Sequence, residues 1–293
     1  MTRRYRTSAI LLILPLIIPL LALTIYPFLN MIFMSFHAYD LARNEPPRFI
    51  GLGNYAAILQ DGSARSTIEF TALLVIVALP LEILLGIGIA WLIRDMLGER
   101  LIRSAILLPM MIPAVVASIA WKMLFNFEFG PINYFLSLLG VAKVSWLGSY
   151  PFARLGIILI DVWQWTPFVF LVLYSGLQSI PPELTEAAVV DGASSWQAIR
   201  LIELPLLRPL IWVVLIIRLI DILKLFDIVF MVTWGGPGAA THSFSYYIYK
   251  VGLSFGWDIG YASALSILLL AVVVLLVNVL MKVLRLRALL ELG

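Results

Sequence analysis

Six apolar stretches recur along this 293-residue chain, and they constrain its fold more than any other feature. A helix needs about 20 apolar residues to cross the hydrocarbon of a bilayer, and each stretch reaches that length. Hydrophobic residues make up 62% of the sequence and charged residues 13%, whereas a soluble domain averages nearer half and a quarter. The sequence therefore predicts an all-α membrane protein with six transmembrane helices. We place these spans near residues 9–30, 70–93, 104–125, 154–177, 208–231 and 262–283.

A single membrane domain, residues 1–293, is predicted, because no stretch between the apolar segments is long enough for a separate soluble core. The first apolar segment follows Arg3, Arg4 and Arg6, as the apolar region of a signal peptide would. Its apolar run is too long and no small-x-small cleavage site follows it, so we expect an uncleaved anchor.

The distribution of positive charge predicts that both termini lie in the cytoplasm. With that orientation, eleven basic residues fall on the cytoplasmic side and six on the outside. The cytoplasmic set is Arg3, Arg4, Arg6, Arg94, Arg100, Arg103, Arg200, Arg208, Lys282, Arg285 and Arg287. The outside set is Arg43, Arg48, Arg65, Lys143, Arg154 and Lys250. This topology places the polar loop between the fourth and fifth spans in the cytoplasm.

Several classes of chemistry are excluded or disfavoured by composition. The chain has no cysteine, so disulfides and thiolate metal sites cannot form. The two histidines, His37 and His242, lie in different loops, and we expect no metal site. The net charge of +3 arises from basic ends and loops, as is common in membrane proteins, and indicates no nucleic-acid partner.

The polar segment 179–209 is predicted to form two short helices separated by a turn. Proline at positions 181 and 182 suits a helix start, and the helix continues to Val190 without a breaker. Gly192 then permits a left-handed turn, and Ser194 or Ser195 can cap the next helix. Trp196, Ile199 and Ile202 form an apolar stripe on that helix, and the pair Leu204-Pro205 turns the chain back into the fifth span.

This segment closely resembles the coupling loop of the permeases of ABC importers. The match consists of Glu186-Ala187-Ala188, then Gly192, then Ile202-x-Leu204-Pro205. The resemblance implies a cytoplasmic coupling helix between helices 4 and 5 that docks on an ATPase. An amphipathic helix that merely rests on lipid is the alternative interpretation. The residues assigned to ATPase coupling are Glu186, Ala187, Ala188, Asp191, Gly192, Ala193, Trp196, Ile199, Ile202, Leu204 and Pro205.

The resemblance extends over nearly the whole chain and is to the six-span sugar permeases of carbohydrate-uptake ABC importers, the group of maltose, trehalose and glycerol-phosphate systems. Phe49 to Tyr55 and Gly130 to Asn133 are similar to segments common in that group. Thr233 to Gly238 also fits, although relatives usually have a smaller residue in place of Trp234.

The family implies how such a subunit works. It forms half of a translocation pathway for a carbohydrate, such as a disaccharide, in the cytoplasmic (inner) membrane of a bacterium or archaeon. It pairs with a second homologous permease and two ATP-binding cassette subunits, and an extracytoplasmic solute-binding protein delivers the solute. The chain has no Gly-x-x-x-x-Gly-Lys-Ser/Thr loop, so we expect a non-catalytic subunit, with ATP and Mg²⁺ bound by the partner ATPases.

Ionisable residues inside a membrane span are costly and commonly face the bundle interior or water. The fifth span contains Arg218, Asp221, Lys224 and Asp227, three residues apart, so neighbours can pair along a helix. Ion pairing that holds helices together is favoured for Arg218–Asp221, and for Lys224–Asp227 pairing and a role in the substrate pathway are equally supported. The resemblance to the sugar permeases also indicates that Lys224, Phe226 and Asp227 together fit a pattern common in this helix of the family.

Asp161, Gln164 and Trp165 in the fourth span are further pathway candidates, because sugar sites often combine an aromatic platform with acids or amides. Interfacial anchoring of the tryptophan is the alternative. Glu82 is isolated in sequence, and we expect it to pair with a neighbouring helix of this or the partner subunit. The partner permease can also bind the sugar, wholly or in part.

Two other classes of function compete with an ATP-driven importer. A secondary, ion-coupled carrier would explain the intramembrane acids but leaves the coupling loop without a purpose. An intramembrane enzyme would need a Gly-x-Ser-x-Gly turn or a His-Glu-x-x-His pair, and neither occurs.

Overall fold

A computed structural model describes the backbone of residues 2–43, 45–94 and 96–291 and the side chains of residues 13–43, 45–94 and 96–284. The side chains of Arg3, Arg4, Arg6, Arg285 and Arg287, which contributed to the predicted orientation, lie outside these ranges. Helices make up 76% of the chain, which confirms a predominantly helical protein.

The elements of the described residues follow in chain order. The helices are α1 (Thr2–Ser35), α2 (Gly53–Gln60), α3 (Gly62–Ile93), α4 (Glu99–Met111), α5 (Ala114–Leu124), α6 (Pro131–Leu138), α7 (Tyr150–Gln178), α8 (Pro182–Val190), α9 (Ser195–Ala198), α10 (Leu204–Leu223), α11 (Asp227–Val232), α12 (Phe244–Tyr249) and α13 (Ile259–Glu291). π-Helical turns occupy Ile199–Glu203 and Lys250–Ser254. Two short strands, β1 (His37–Ala38) and β2 (Arg48–Phe49), pair antiparallel.

Four helices in the described part of the chain are long and apolar enough to cross a membrane. They are α1 from Ile13 onward, α3, α7, and α13 as far as Leu284. These helices coincide with the first, second, fourth and sixth predicted spans. The pair α4 and α5 provides a fifth candidate if the two helices are counted as one span.

The third and fifth predicted spans are not continuous helices, and this corrects the sequence-based boundaries. The segment 104–125 divides into α4 and α5, which meet at an angle of 95°. Pro113 explains the break, because the residue before a proline is disfavoured in the helical region, and Ile112 is extended with ψ 128°. Within the segment 208–231, α10 ends at Leu223 and α11 begins at Asp227.

The chain divides into two compact units, of which the first comprises residues 1–61 and 248–272. The β1–β2 hairpin follows α1, and the buried amide of Asn54 donates to the carbonyls of Ser35 and His37 at 2.9 Å each. The hydroxyl of Tyr261 in α13 donates to Asp61 at 2.6 Å. Side-chain hydrogen bonds therefore join the end of α1 to α2, and the end of α2 to α13, within this unit.

The second unit comprises residues 62–247 and 273–293, and its core lies where α3 packs along α7. Gly86 makes this approach possible. A Cβ atom at that position would lie 2.7 Å from Cγ1 of Val169 and 2.9 Å from the backbone nitrogen of Phe170. Small residues allow helix backbones to approach closely in membranes, where association depends on van der Waals packing.

We expect Gly86→Ala to lower the thermal stability of the detergent-solubilised protein, by about 1–3 kcal/mol, because the added methyl group overpacks the α3–α7 contact. Gly88→Ala is the matched control, since a Cβ atom there meets nothing within 4 Å. Thermal unfolding in detergent measures both. Equal melting temperatures for the two variants would contradict this packing account.

Candidate functional site: a charged cavity and a coupling segment

A buried cluster of charges joins three helices of the second unit. The guanidinium of Arg218 in α10 donates to both carboxylate oxygens of Glu82 in α3, at 2.7 and 2.8 Å. It also donates to Oδ2 of Asp161 in α7 at 3.1 Å. All three side chains are at most 1% exposed, so each charge depends on the others for compensation. We call Glu82, Asp161 and Arg218 the ion cluster.

Two further residues surround the guanidinium. Trp165 lies one turn from Asp161 on α7, and its ring centroid is 4.8 Å from Cζ of Arg218, a cation–π contact. Asp221 lies 3.8 Å from Nη1 of Arg218, which is the pair predicted along the helix, but its side chain is 40% exposed. The sequence identified Asp221 as the partner of Arg218 and did not reveal the closer contacts with Glu82 and Asp161.

A cavity of about 260 Å³ opens beside the ion cluster. It is lined by Ala114, Asp161, Trp165, Arg218, Asp221, Lys224, Leu225, Phe226, Asp227 and Ile228. Six of the seven pathway candidates from the sequence therefore lie around one space. The seventh, Gln164, is not part of the lining. Its amide instead donates to the carbonyl of Ile112 at the α4–α5 bend, 3.1 Å away.

The break between α10 and α11 delivers several of these side chains to the cavity. The amide of Lys224 still donates to the carbonyls of Ile220 and Asp221, so the helix closes there. The carbonyl of Leu225 leaves the helical pattern and accepts from the hydroxyl of Ser243 at 2.5 Å. Within the described residues no ion pair joins Lys224 to Asp227, because they belong to different segments.

One buried oxygen of the ion cluster has no hydrogen-bond donor among the residues that the structure describes. Oδ1 of Asp161 is buried and accepts no hydrogen bond from any described residue. Burial of such an oxygen is costly unless something donates to it.

The coupling segment, residues 179–209, forms the two predicted helices and the turn between them. The turn predicted at Leu204-Pro205 is wrong, because Glu203 and Leu204 have helical backbone angles and the π-helical turn continues directly into α10. Gly192 follows α8 with φ +82°, in the left-handed region that glycine adopts without strain. Ser194 caps α9, and the amide of Ser194 donates in turn to the side chain of Gln197 at 2.7 Å, which completes a capping box. Trp196 is 65% exposed on α9, whereas Ile199 and Ile202 are half-buried in the π-helical turn.

The other residues assigned to coupling fall into two groups. Glu186, Ala187, Asp191 and Gly192 are exposed, and Ala188, Ala193, Leu204 and Pro205 are half-buried. Several apolar side chains that the sequence did not single out are strongly exposed in the same segment: Val189 at 64%, Val190 at 87% and Leu201 at 68%.

Glu203 anchors the coupling segment and was missed by sequence reasoning. Its carboxylate is buried and accepts from the indole nitrogen of Trp91 at 2.9 Å and from the guanidinium of Arg94 at 2.6 Å. Trp91 and Arg94 lie at the end of α3, so the contact ties the start of α10 to that helix end. An acid placed between Ile202 and Leu204 in an apolar run was the available signal.

A second polar contact lies beside the start of the coupling segment. Tyr174, near the end of α7, donates its hydroxyl to Glu99 at the start of α4. The amide of Gln178 donates to the same hydroxyl at 2.5 Å, and the guanidinium of Arg103 lies 5.7 Å from the tyrosine ring. Both ends of the coupling segment are thus fixed to the region between α3 and α4.

Residues 82–289 match the family of binding-protein-dependent transport system inner membrane components. The chain belongs to this family and is a multi-pass permease subunit embedded in a membrane. The coupling segment, the ion cluster and the cavity all lie within the matched residues.

Individual relatives resemble the chain over nearly its full length. The trehalose/maltose transport system permease protein of Thermococcus litoralis is 38% identical over 290 residues, which cover 97% of this chain and 96% of that protein. The trehalose transport system permease protein of Mycobacterium tuberculosis is 33% identical over 279 residues, covering 94% and 88%. The sulfoquinovosyl glycerol transport system permease protein of Agrobacterium fabrum is 34% identical over 281 residues, covering 96% and 91%.

Solved structures show the same fold. A chain of a bacterial ABC transporter involved in the import of the acidic polysaccharide alginate superposes with a TM-score of 0.82 and 27% identity, covering 97% of this chain and 96% of that chain. The alginate transporter in complex with an alginate pentasaccharide-bound periplasmic protein gives a TM-score of 0.81 at 26% identity, covering 95% and 93%.

We expect Arg218→Gln to destabilise the protein by about 3–5 kcal/mol, because it leaves two buried carboxylates without a cation. Asp221→Asn is the matched control on the same helix. Its side chain is 40% exposed, so we expect a loss of about 1 kcal/mol or less. Thermal unfolding in detergent measures both, and an unaltered melting temperature for Arg218→Gln would show that the ion cluster does not hold these helices.

We expect Glu203→Gln to loosen the exit of the coupling segment, since the charge-assisted bond from Arg94 is lost. Amide hydrogen exchange within residues 199–207 should become about tenfold faster, which corresponds to a loss of about 1.4 kcal/mol. Glu183→Gln, at an exposed position of α8, serves as the control. Unchanged amide exchange in Glu203→Gln would show that Glu203 does not anchor the segment.

Proposed function

We propose that this chain forms half of the translocation pathway of an ATP-driven importer for a carbohydrate, such as a disaccharide or related sugar. The names of the relatives from Thermococcus litoralis and Mycobacterium tuberculosis, which refer to trehalose and maltose, support this class of substrate. The lining of the cavity supports it as well, because an indole ring beside carboxylates and an ammonium group offers what a sugar ring and its hydroxyls require.

We propose a six-span topology with both termini in the cytoplasm. The spans are α1, α3, the bent pair α4–α5, α7, the broken pair α10–α11, and α13. The excess of basic residues on the proposed cytoplasmic side supports this orientation. The membrane is the cytoplasmic (inner) membrane of a bacterium or archaeon.

The coupling segment is the proposed docking site for an ATPase subunit, and its surface is the observation that carries the ATP-driven part of the proposal. Val189, Val190 and Trp196 are all more than 60% exposed on a segment fixed at both ends. Exposed apolar side chains of this kind are typical of a protein interface, and an amphipathic helix commonly docks in a groove of its partner.

The remaining partners follow from the same assignment. Two ATP-binding cassette subunits bind ATP and Mg²⁺ and carry out hydrolysis, while this chain contributes no catalytic residue. A second homologous permease completes the pathway, and an extracytoplasmic solute-binding protein delivers the sugar. The alginate-transporter structure, which contains a pentasaccharide-bound periplasmic protein, supports the last of these partners.

Alternating access then requires that movement of the coupling segment reaches the cavity. Helix α10 begins at Leu204, next to the anchor Glu203, and extends to Leu223 beside Lys224 of the cavity. Arg218 on the same helix connects it to α3 and α7. A rigid-body shift of the coupling segment would therefore move the cavity lining and its neighbouring helices together.

Replacement of Gly192 by valine tests this role. The left-handed backbone at φ +82° is strained for a β-branched residue, so we expect the turn between α8 and α9 to be distorted. Sugar uptake by the reconstituted importer, and the stimulation of its ATP hydrolysis by loaded binding protein, should both fall by about tenfold, an effect of about 1.4 kcal/mol.

Gly192→Asn is the control for this experiment, because asparagine tolerates the left-handed region and should retain most activity. Membrane fractionation checks that both variants insert into the membrane. If the valine and asparagine variants transport equally, the coupling segment does not transmit movement. Uptake that continues without any ATPase would support a secondary carrier instead.

A further inference from the structure

The short helix α6, between α5 and α7, has one side covered by large exposed apolar residues. Tyr134, Phe135, Leu138 and the C-cap residue Leu139 are 62%, 63%, 65% and 79% exposed. Spacings of one, three and four residues place these side chains on one side of a helix. Asn133, which is 1% exposed, lies on the opposite side. We call the four exposed residues the apolar face of α6.

The segment that carries this face has no charge of its own. Residues 129–142 contain no charged residue, and the charged residues that border them are Glu128 and Lys143. These two pair with each other, with Nζ of Lys143 3.5 Å from Oε2 and 3.3 Å from the carbonyl oxygen of Glu128. The segment is therefore an uncharged excursion of the chain that an ion pair closes at its base. Interfaces between soluble proteins normally have a polar rim, which this segment does not supply.

Asn133 satisfies polar groups of the segment internally. Its amide nitrogen donates to the carbonyls of Phe127 at 3.3 Å and Val144 at 3.0 Å. Its side-chain oxygen accepts from the backbone amide of Val144 at 3.0 Å and from the indole nitrogen of Trp146 at 3.2 Å. Both donors and both acceptor positions of the side chain are thus used. Internal pairing of this kind is what a segment needs where water is scarce, as it is in a lipid bilayer.

The contacts of Trp146 place α6 beside the start of α7. The ring of Trp146 lies 5.8 Å from that of Phe152 in the first turn of α7, measured between centroids. Helix α7 has 29 residues and is therefore about 44 Å long, more than the thickness of the hydrocarbon core. The coupling segment follows its far end, so α6 lies at the opposite end of this span from the coupling segment.

We propose that α6 is an interfacial helix, whose apolar face is buried among the lipids of the leaflet opposite the coupling segment. Amphipathic helices of this kind lie in the plane of the membrane surface, and tyrosine is common at that depth. Close packing against a second permease would favour small residues, whereas this face consists of tyrosine, phenylalanine and two leucines. In the proposed orientation the leaflet is the outer one, and α6 fixes the depth of the α5–α7 connection there.

Spin labels on single cysteines test the inference in the complete importer, reconstituted in phosphatidylcholine nanodiscs. The chain has no cysteine, so the importer with the unaltered chain gives the background from the other subunits. Labels at Tyr134→Cys and Leu138→Cys should be more accessible to oxygen than to a water-soluble nickel chelate, at a depth of about 5–10 Å. Ser137→Cys, exposed on the other side of α6, is the matched control and should be more accessible to the chelate. Retained ATP hydrolysis checks that each variant assembles.

Three other outcomes each overturn the inference and identify what contacts the face instead. Low accessibility of Tyr134→Cys and Leu138→Cys to both reagents would show that the second permease covers it. Access to the chelate that is lost when the solute-binding protein is added would make the face a docking surface for that protein. Access to the chelate that exceeds access to oxygen under both conditions would show that the face lies in water.

Discussion

The packing of the second unit depends on the ion pairs that the guanidinium of Arg218 forms with Glu82 and Asp161. Three helices that are distant in sequence each contribute one charged group to the ion cluster, and none is more than 1% exposed. A charge buried in this way is costly unless its partners are in place, so the cluster specifies which helices pack together. It also holds Asp161 and Trp165 at the wall of the cavity.

Helix α10 gives the proposed mechanism its physical continuity. It has 20 residues and is therefore about 30 Å long. One end begins beside Glu203, which is fixed to α3, and the other ends at the break that exposes Lys224 to the cavity. The coupling segment and the cavity consequently lie at the two ends of one rigid helix, α10. The ion cluster connects this helix to α3 and α7.

Local patterns predicted much of this structure, and contacts between distant residues account for most of what they missed. The apolar runs at 70–93 and 154–177 lie within α3 and α7, and the left-handed turn at Gly192 occurs as its sequence indicates. The break after Leu223 was not predicted, because no proline or glycine marks it in the sequence. Glu82 and Glu203 have partners 136 and 109 residues away, and no single sequence reveals such pairs.

The composition of the complex in its native membrane tests the central claim most directly. The chain would be purified in a mild detergent, and the proteins that remain with it would be identified and quantified by mass spectrometry. The account predicts an ATP-binding cassette subunit in twofold ratio to this chain and a second permease in equal amount. Recovery of the chain alone, or as a homodimer without an ATPase, would contradict it.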